Sequence, residues 1–175
     1  MHFVKMQGAG NDFIVLNNLD GSIPGAEYAN LAIRLCKRRL SIGADGLMIV
    51  LPPQEGGDIA MAFYNEDGSK GEMCGNALRS LSKFVYCHGL TDKTHLLIET
   101  LGGDQVVDLE VREGEVINIS ACIGRPVLKP ALIPVNSSDD SFIDREVRVL
   151  DKSFRMSSLS WGNPHTVVMV KDTDS

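Results

Sequence analysis

No stretch of this 175-residue sequence is long and apolar enough to span a bilayer: uninterrupted apolar runs such as residues 47–51 are strand-sized, far short of the ~20 residues required. Nor is there a surplus of positive charge. Seventeen Lys and Arg against 23 Asp and Glu leave a formal charge of −6, a balance that repels phosphate backbones and argues against a nucleic-acid partner. The first residues, Met1-His2-Phe3-Val4-Lys5-Met6, hold no basic segment followed by an apolar run, so no secretory signal is expected. Cys36, Cys74, Cys87 and Cys122 are irregularly spaced, without a CxxC pair, and His2, His88, His95 and His165 do not stand at zinc-ligand spacing from them. Reduced thiols in a cytoplasmic protein without a structural metal are the expectation. No internal repeat at a fixed period is present.

What the sequence does have is an ordinary globular composition, 43% hydrophobic and 23% charged, which excludes collagen-like, coiled-coil and disordered classes. Residues 3–6 and 13–16 read as short strands joined by the turn-forming run Gln7-Gly8-Ala9-Gly10-Asn11-Asp12, where Asn11 and Asp12 can bond their own backbone or a ligand. Gly8-Ala9-Gly10 is a poor dinucleotide fingerprint, because a strand follows it where a helix should begin. Helical spacing of Tyr28, Leu31, Ala32, Leu35 and Cys36 predicts a first helix over 26–40, with Cys36 a buried thiol and Lys37, Arg38 and Arg39 a solvated C-terminal end. Residues 47–51 and 59–65 pair as a hairpin, and a second helix covers 76–88, stopped by Gly89.

Beyond that helix the pattern becomes short strands at 95–100, 105–112, 116–121, 145–150, 153–156 and 166–170. Val107, Leu109 and Val111 alternate with Asp108, Glu110 and Arg112, the period-two signature of a half-buried antiparallel strand. An α+β architecture follows. Residues 126–144, rich in proline and serine, read as a loose surface excursion.

Two places carry chemistry. Cys74 stands at the threshold of the second helix, where unpaired backbone N–H groups and the helix dipole favour an anion, a thiolate included. Gly75 leaves room for a ligand to approach the backbone, and Asn76 can orient a polar substrate. A reactive thiol there serves as a nucleophile or as a proton shuttle, and a core cysteine at a helix start is the bland alternative. His165, in Trp161-Gly162-Asn163-Pro164-His165, follows a rigid turn that could equally do no more than link strands. A Cys74–His165 pair would suit a cysteine hydrolase, but spacing alone does not show that the two meet.

The run Asn65-x-Asp67-Gly68-Ser69-x-x-x-x-Cys74-Gly75-Asn76-Ala77-x-Arg79 resembles the signature of the diaminopimelate epimerase family. Lys5-Met6-x-Gly8-x-Gly10-Asn11-Asp12-Phe13, Ile42-Gly43-Ala44-Asp45-Gly46 and Trp161-Gly162-Asn163-Pro164-His165 resemble further family motifs, in the family's order. The resemblance implies an N-terminal lobe over 1–121, a mostly antiparallel sheet wrapped around a central helix, and the start of a pseudo-symmetric second lobe over 122–175. It implies a homodimer and a small amino-acid substrate, with LL- and meso-diaminopimelate interconverted without a cofactor by two cysteines. Cys74 matches the first cysteine, Asn11, Asn65 and Asn163 match substrate contacts, Gly75 and Asn76 match donors to the α-carboxylate, and His165 matches a supporting histidine. The second lobe's cysteine motif has no match, since neither Cys87 nor Cys122 has the right surroundings. The sequence therefore reads as an epimerase cut short and inactive alone, with a related racemase or a non-catalytic assembly module as the alternatives.

Overall fold

The computed structural model describes residues 1–161 and 163–172, and its contacts divide the chain into two compact units, Met1–Ile123 and Gly124–Ser175. In the first unit the strands β1 (Val4–Gly8), β2 (Asn11–Asn17), β3 (Gly46–Leu51), β4 (Ile59–Asn65), β5 (His95–Glu99), β6 (Gln105–Arg112) and β7 (Glu115–Cys122) form one sheet in sequence order. Only the β2–β3 and β4–β5 neighbours run parallel. The helices are α1 (Tyr28–Leu35) and α2 (Gly75–Cys87).

The two helices cover opposite faces of the sheet, which explains why the central strands are almost continuously apolar rather than alternating. Phe13, Val15, Met48 and Val50 face the α2 side, where Leu78, Leu81 and Val85 are fully buried. The intervening Ile14, Leu16, Leu47 and Ile49 face α1, against Tyr28, Leu31 and Ala32. The sheet curves far enough that α2 touches β1, β2, β3, β4, β6 and β7, so α2 is the axis about which the unit is built. Away from the central strands alternation returns, as on β1 and β5 and on β6, where Val107 and Leu109 are buried and Asp108 and Glu110 exposed.

Several local expectations are corrected. The run 7–12 is not a loop: Gln7, Gly8, Asn11 and Asp12 lie in paired strands, and only Ala9 and Gly10, both with positive φ (51° and 93°), make the turn. That two-residue left-handed geometry matches the strand twist and lengthens both strands. The first helix is shorter than its apolar spacing suggests, ending at Leu35. Beyond Cys36 the chain leaves the helical path, and Arg39 takes φ 68°. Cys36 is fully buried, and burial, reinforced by Glu66, pushes its thiol up to about 11.

The second unit holds an antiparallel three-stranded sheet, ordered β10 (Pro164–Val168), β9 (Lys152–Ser160), β8 (Phe142–Val149). Segment 126–144 is more ordered than its composition suggests. Val127 bridges to Ser160, Pro130–Leu132 form a 3-10 turn, Ile133 is buried, and Phe142 already belongs to β8. Among the described residues no helix is long and apolar enough to cross a membrane, and no group of three or more His, Cys, Asp or Glu is placed to hold a metal ion.

Candidate active site

Cys74 is the N-cap of α2, with extended backbone (φ −138°, ψ 109°), and its carbonyl accepts the first helical hydrogen bond from the Leu78 N–H at 2.8 Å. Its side chain makes no capping bond and is half-buried, as are Gly75 and Asn76. The first N–H groups of a helix have no intrahelical acceptor, so Gly75 and Asn76 present donors beside the thiol. Gly75 needs no special backbone angle. A β-carbon there would meet nothing nearer than Arg79 Nη1 at 3.5 Å.

Gly8 has the opposite character. A β-carbon on it would lie 2.9 Å from Ser80 Oγ and 3.4 Å from the Asn76 carbonyl. Its absence lets the start of α2 close on the β1–β2 hairpin, and that approach brings Asn76 to Asn11. Asn76 Nδ2 donates to Asn11 Oδ1 at 2.9 Å, and Asn11 Nδ2 donates to Asp45 Oδ2 at 2.9 Å. At the other end Arg79 Nη2 donates to Asn76 Oδ1.

Asp45 belongs to a charge cluster that sequence reasoning missed. Arg38 donates through Nη2 to Asp12 Oδ1 (2.6 Å) and Asp45 Oδ1 (2.7 Å), and through Nη1 to Asp12 Oδ2 (3.1 Å), while Lys5 Nζ lies 2.9 Å from Asp12 Oδ2. Arg38 is exposed, as expected of that run, but its guanidinium also pairs with two carboxylates, and Asp12 accepts from Arg38 and from the Asp45 N–H rather than from its own turn. The pairing spans 26 and 33 positions, and nothing local to either partner signals it. The Arg38 guanidinium, aided by Lys5, holds Asp12 far below the usual carboxylate range. The Asn11 amide, then the Asp12 N–H and Arg38, lower Asp45.

These lowered carboxyls imply acid sensitivity with a definite sign. A depressed native value adds stability above the unfolded value of ~4 and loses it as pH falls through the native value. Thermal unfolding measured in a pH series should therefore show falling stability from about pH 5 downward. Asp12→Asn should be less stable at neutral pH and flatter across that window. An unchanged slope would show that the cluster is not coupled to folding.

The remaining predicted residues make their own local bonds. Asn65, at the end of β4, donates through Nδ2 to Ser69 Oγ at 2.9 Å within its own turn. In the second unit, Asn163 and His165 bond each other, Oδ1 to Nε2 at 2.8 Å, with His165 exposed on β10, and Gly162 lies outside the described residues. Cys87 is the last residue of α2, about 20 Å along the axis from Cys74 at ~1.5 Å per residue. A cleft of about 740 Å³ opens between β4 and the segment after β5, lined by Phe63, Lys70, Gly71 and Glu99 among others. Cys74 is not among its lining residues, and Glu99 is already engaged, accepting the Gln54, Glu55 and Gly57 N–H groups.

Residues 3–128 match the family model described as diaminopimelate epimerase. Among curated relatives, the diaminopimelate epimerase of Caldanaerobacter subterraneus subsp. tengcongensis is 41% identical over 170 residues, covering 97% of this chain and 60% of the relative. That of Acetivibrio thermocellus is 39% identical over 174 residues, covering 99% and 61%. The chain thus spans about 60% of the length of the curated relatives it matches. Among solved structures, a hydroxyproline epimerase from Agrobacterium vitis superposes with TM-score 0.70 at 12% identity, covering 95% of this chain and 50% of that one. A PhzF-family phenazine biosynthesis protein from Bacillus anthracis gives 0.64 at 23%, covering 99% and 56%. These two likenesses concern the fold alone.

Proposed function

The chain belongs to the diaminopimelate epimerase family, and from that membership we propose that it supplies one base of a cofactor-independent epimerase acting at the α-carbon of diaminopimelate. The observation that carries this reading is Cys74 at the N-cap of α2, its side chain unused for capping and flanked by the Gly75 and Asn76 N–H groups. An amino-acid α-hydrogen is weakly acidic, so a base alone is insufficient, and charge developing on the carboxylate side must be met by preorganised donors. A helix N-terminus provides them.

In the step we assign here, the Cys74 thiolate takes the α-proton and becomes a thiol, leaving the electron pair on the α-carbon and its carboxylate. Protonation of the opposite face by a second acid inverts the centre. Within these 175 residues Cys36 is buried, Cys87 lies at the far end of α2, and Cys122 ends strand β7 rather than standing at a helix start, so none of them matches the second role. On this reading Asn11, Asn65 and Asn163 contact substrate and His165 supports the site. The protein works in the cytoplasm as a homodimer, in lysine and peptidoglycan-precursor synthesis.

Incubating the 175-residue chain with LL-diaminopimelate in D2O tests the proposal by mass spectrometry and chiral chromatography. Slow α-deuteration without the meso isomer is expected. Full-rate deuteration with inversion would sink the one-base assignment, and no exchange at all would remove Cys74 from the role. Gly75→Ala probes the donor side. Alanine is the better helix former by roughly 1 kcal/mol and meets no clash, so thermal stability should hold or rise while exchange falls. Unchanged exchange would mean that no ligand approaches that backbone.

A further inference from the structure

We propose that Asp45 and Arg79 are positioning residues that set, from opposite ends, the sense in which the Asn11 and Asn76 side-chain amides are held beside Cys74. The proposal rests on the reading of the α2 N-terminus as the substrate site.

An asparagine amide turned by 180° exchanges its oxygen and nitrogen at almost no steric cost, so only its hydrogen-bond partners decide which way it faces. Here the partners at the two ends are charged and one-sided. A carboxylate accepts only and a guanidinium donates only. Asp45 Oδ2 accepts from Asn11 Nδ2, Asn11 Oδ1 accepts from Asn76 Nδ2, and Asn76 Oδ1 accepts from Arg79 Nη2. Turning Asn11 alone would set oxygen against the Asp45 carboxylate and N–H against the Asn76 N–H. Turning both would face Asn76 N–H groups to the Arg79 donors. The chain of bonds therefore runs in one sense.

Asp45 is itself held. Arg38 Nη2 reaches its Oδ1 at 2.7 Å, and the Asp12 N–H reaches its Oδ2 at 3.1 Å. The amides between the charged ends each keep one N–H and one oxygen lone pair. These are held in a fixed sense, so a substrate that binds them does not first have to select an orientation. The links join residues 34, 65 and 3 positions apart, and Arg79 also lies beside Gly75, within ordinary contact of where its β-carbon would be.

Replacing an end by a group that both donates and accepts removes the bias while nearly keeping the shape. The test uses the 175-residue chain with 15N-labelled asparagine and follows the side-chain amide signals of Asn11 and Asn76, with backbone amides of β3 and β4 reporting the fold. Asp45→Asn should displace the Asn76 amide signals, and Arg79→Gln those of Asn11, although neither pair is in contact. Arg79→Lys, still a pure donor, should leave Asn11 near its original position. If Asn76 ignores Asp45→Asn and Asn11 ignores Arg79→Gln, the proposal is overturned. Should Asp45→Asn unfold, the two Arg79 variants decide it alone, since Arg79 is only half-buried. Titration with LL-diaminopimelate separates this proposal from the functional one. Arg79→Gln should weaken binding roughly tenfold, the loss of about one hydrogen bond, and Arg79→Lys less. Equal binding by Arg79→Gln and the original chain would refute the positioning role. No binding by the original chain would refute the site reading, while the amide signals still decide the orientation.

Discussion

Cys74→Ser should lower α-deuteration of LL-diaminopimelate by about 10²- to 10⁴-fold, the usual contribution of a positioned acid or base, without loss of stability. The two readouts separate because of where the residue stands. As N-cap of α2, Cys74 makes no side-chain capping bond, whereas serine is among the preferred residues at that position and bonds the N2 or N3 amide, a gain of up to ~1 kcal/mol over a residue that does not cap. The helix should thus be held as well or better. Serine's hydroxyl, however, is far too weak an acid to ionise near neutral pH and cannot act as the base. Cys74→Ala serves as the companion, losing exchange equally without the new cap. Exchange that survives both substitutions would mean that the base is another group, and unfolding in both would mean that Cys74 is structural.

Leu81→Ala should destabilise the first unit by about 2–5 kcal/mol, the range for removing a buried leucine side chain, against a total of roughly 5–15 kcal/mol for a typical domain. Leu81 is fully buried near the middle of α2, the helix against which β1, β2, β3, β4, β6 and β7 pack. Because strands close around it from several sides, the surroundings cannot collapse from one direction to fill the space. Urea denaturation should show a lower midpoint with an unchanged slope. Leu101→Ala, at a position 63% exposed, is the control and should stay within about 0.5 kcal/mol. Similar losses from both would contradict α2 as the centre of the unit.

The elements themselves were legible because they rest on local physics. Apolar period and a glycine stop locate α2 within a residue of its observed ends, and β4 and β6 match their expected bounds. The misreadings have equally specific causes. Helical spacing continued through Cys36, but Cys36 is buried against the sheet by tertiary packing rather than by a longer helix. The glycine-rich run 7–12 looked like a loop because glycine and asparagine mark turns, yet two left-handed residues suffice to reverse the chain.

The candidate site divides along the same line. Cys74, Gly75 and Asn76 could be singled out from their place before an apolar-periodic helix, since helix-terminus electrostatics depend only on sequence neighbours. The Lys5–Asp12–Arg38–Asp45 cluster and the Asn11–Asn76 bond could not be. Their partners come together only because β2 and β3 pair in parallel, with Phe13 opposite Gly46, and because Gly8 admits the start of α2 to the β1–β2 hairpin. By itself, the sequence determined the kind and order of most helices and strands and which thiol stands at a helix start. The tertiary structure alone decided which charges neutralise one another and which way the two amides face, because both depend on the spacing of groups that the chain separates by dozens of residues.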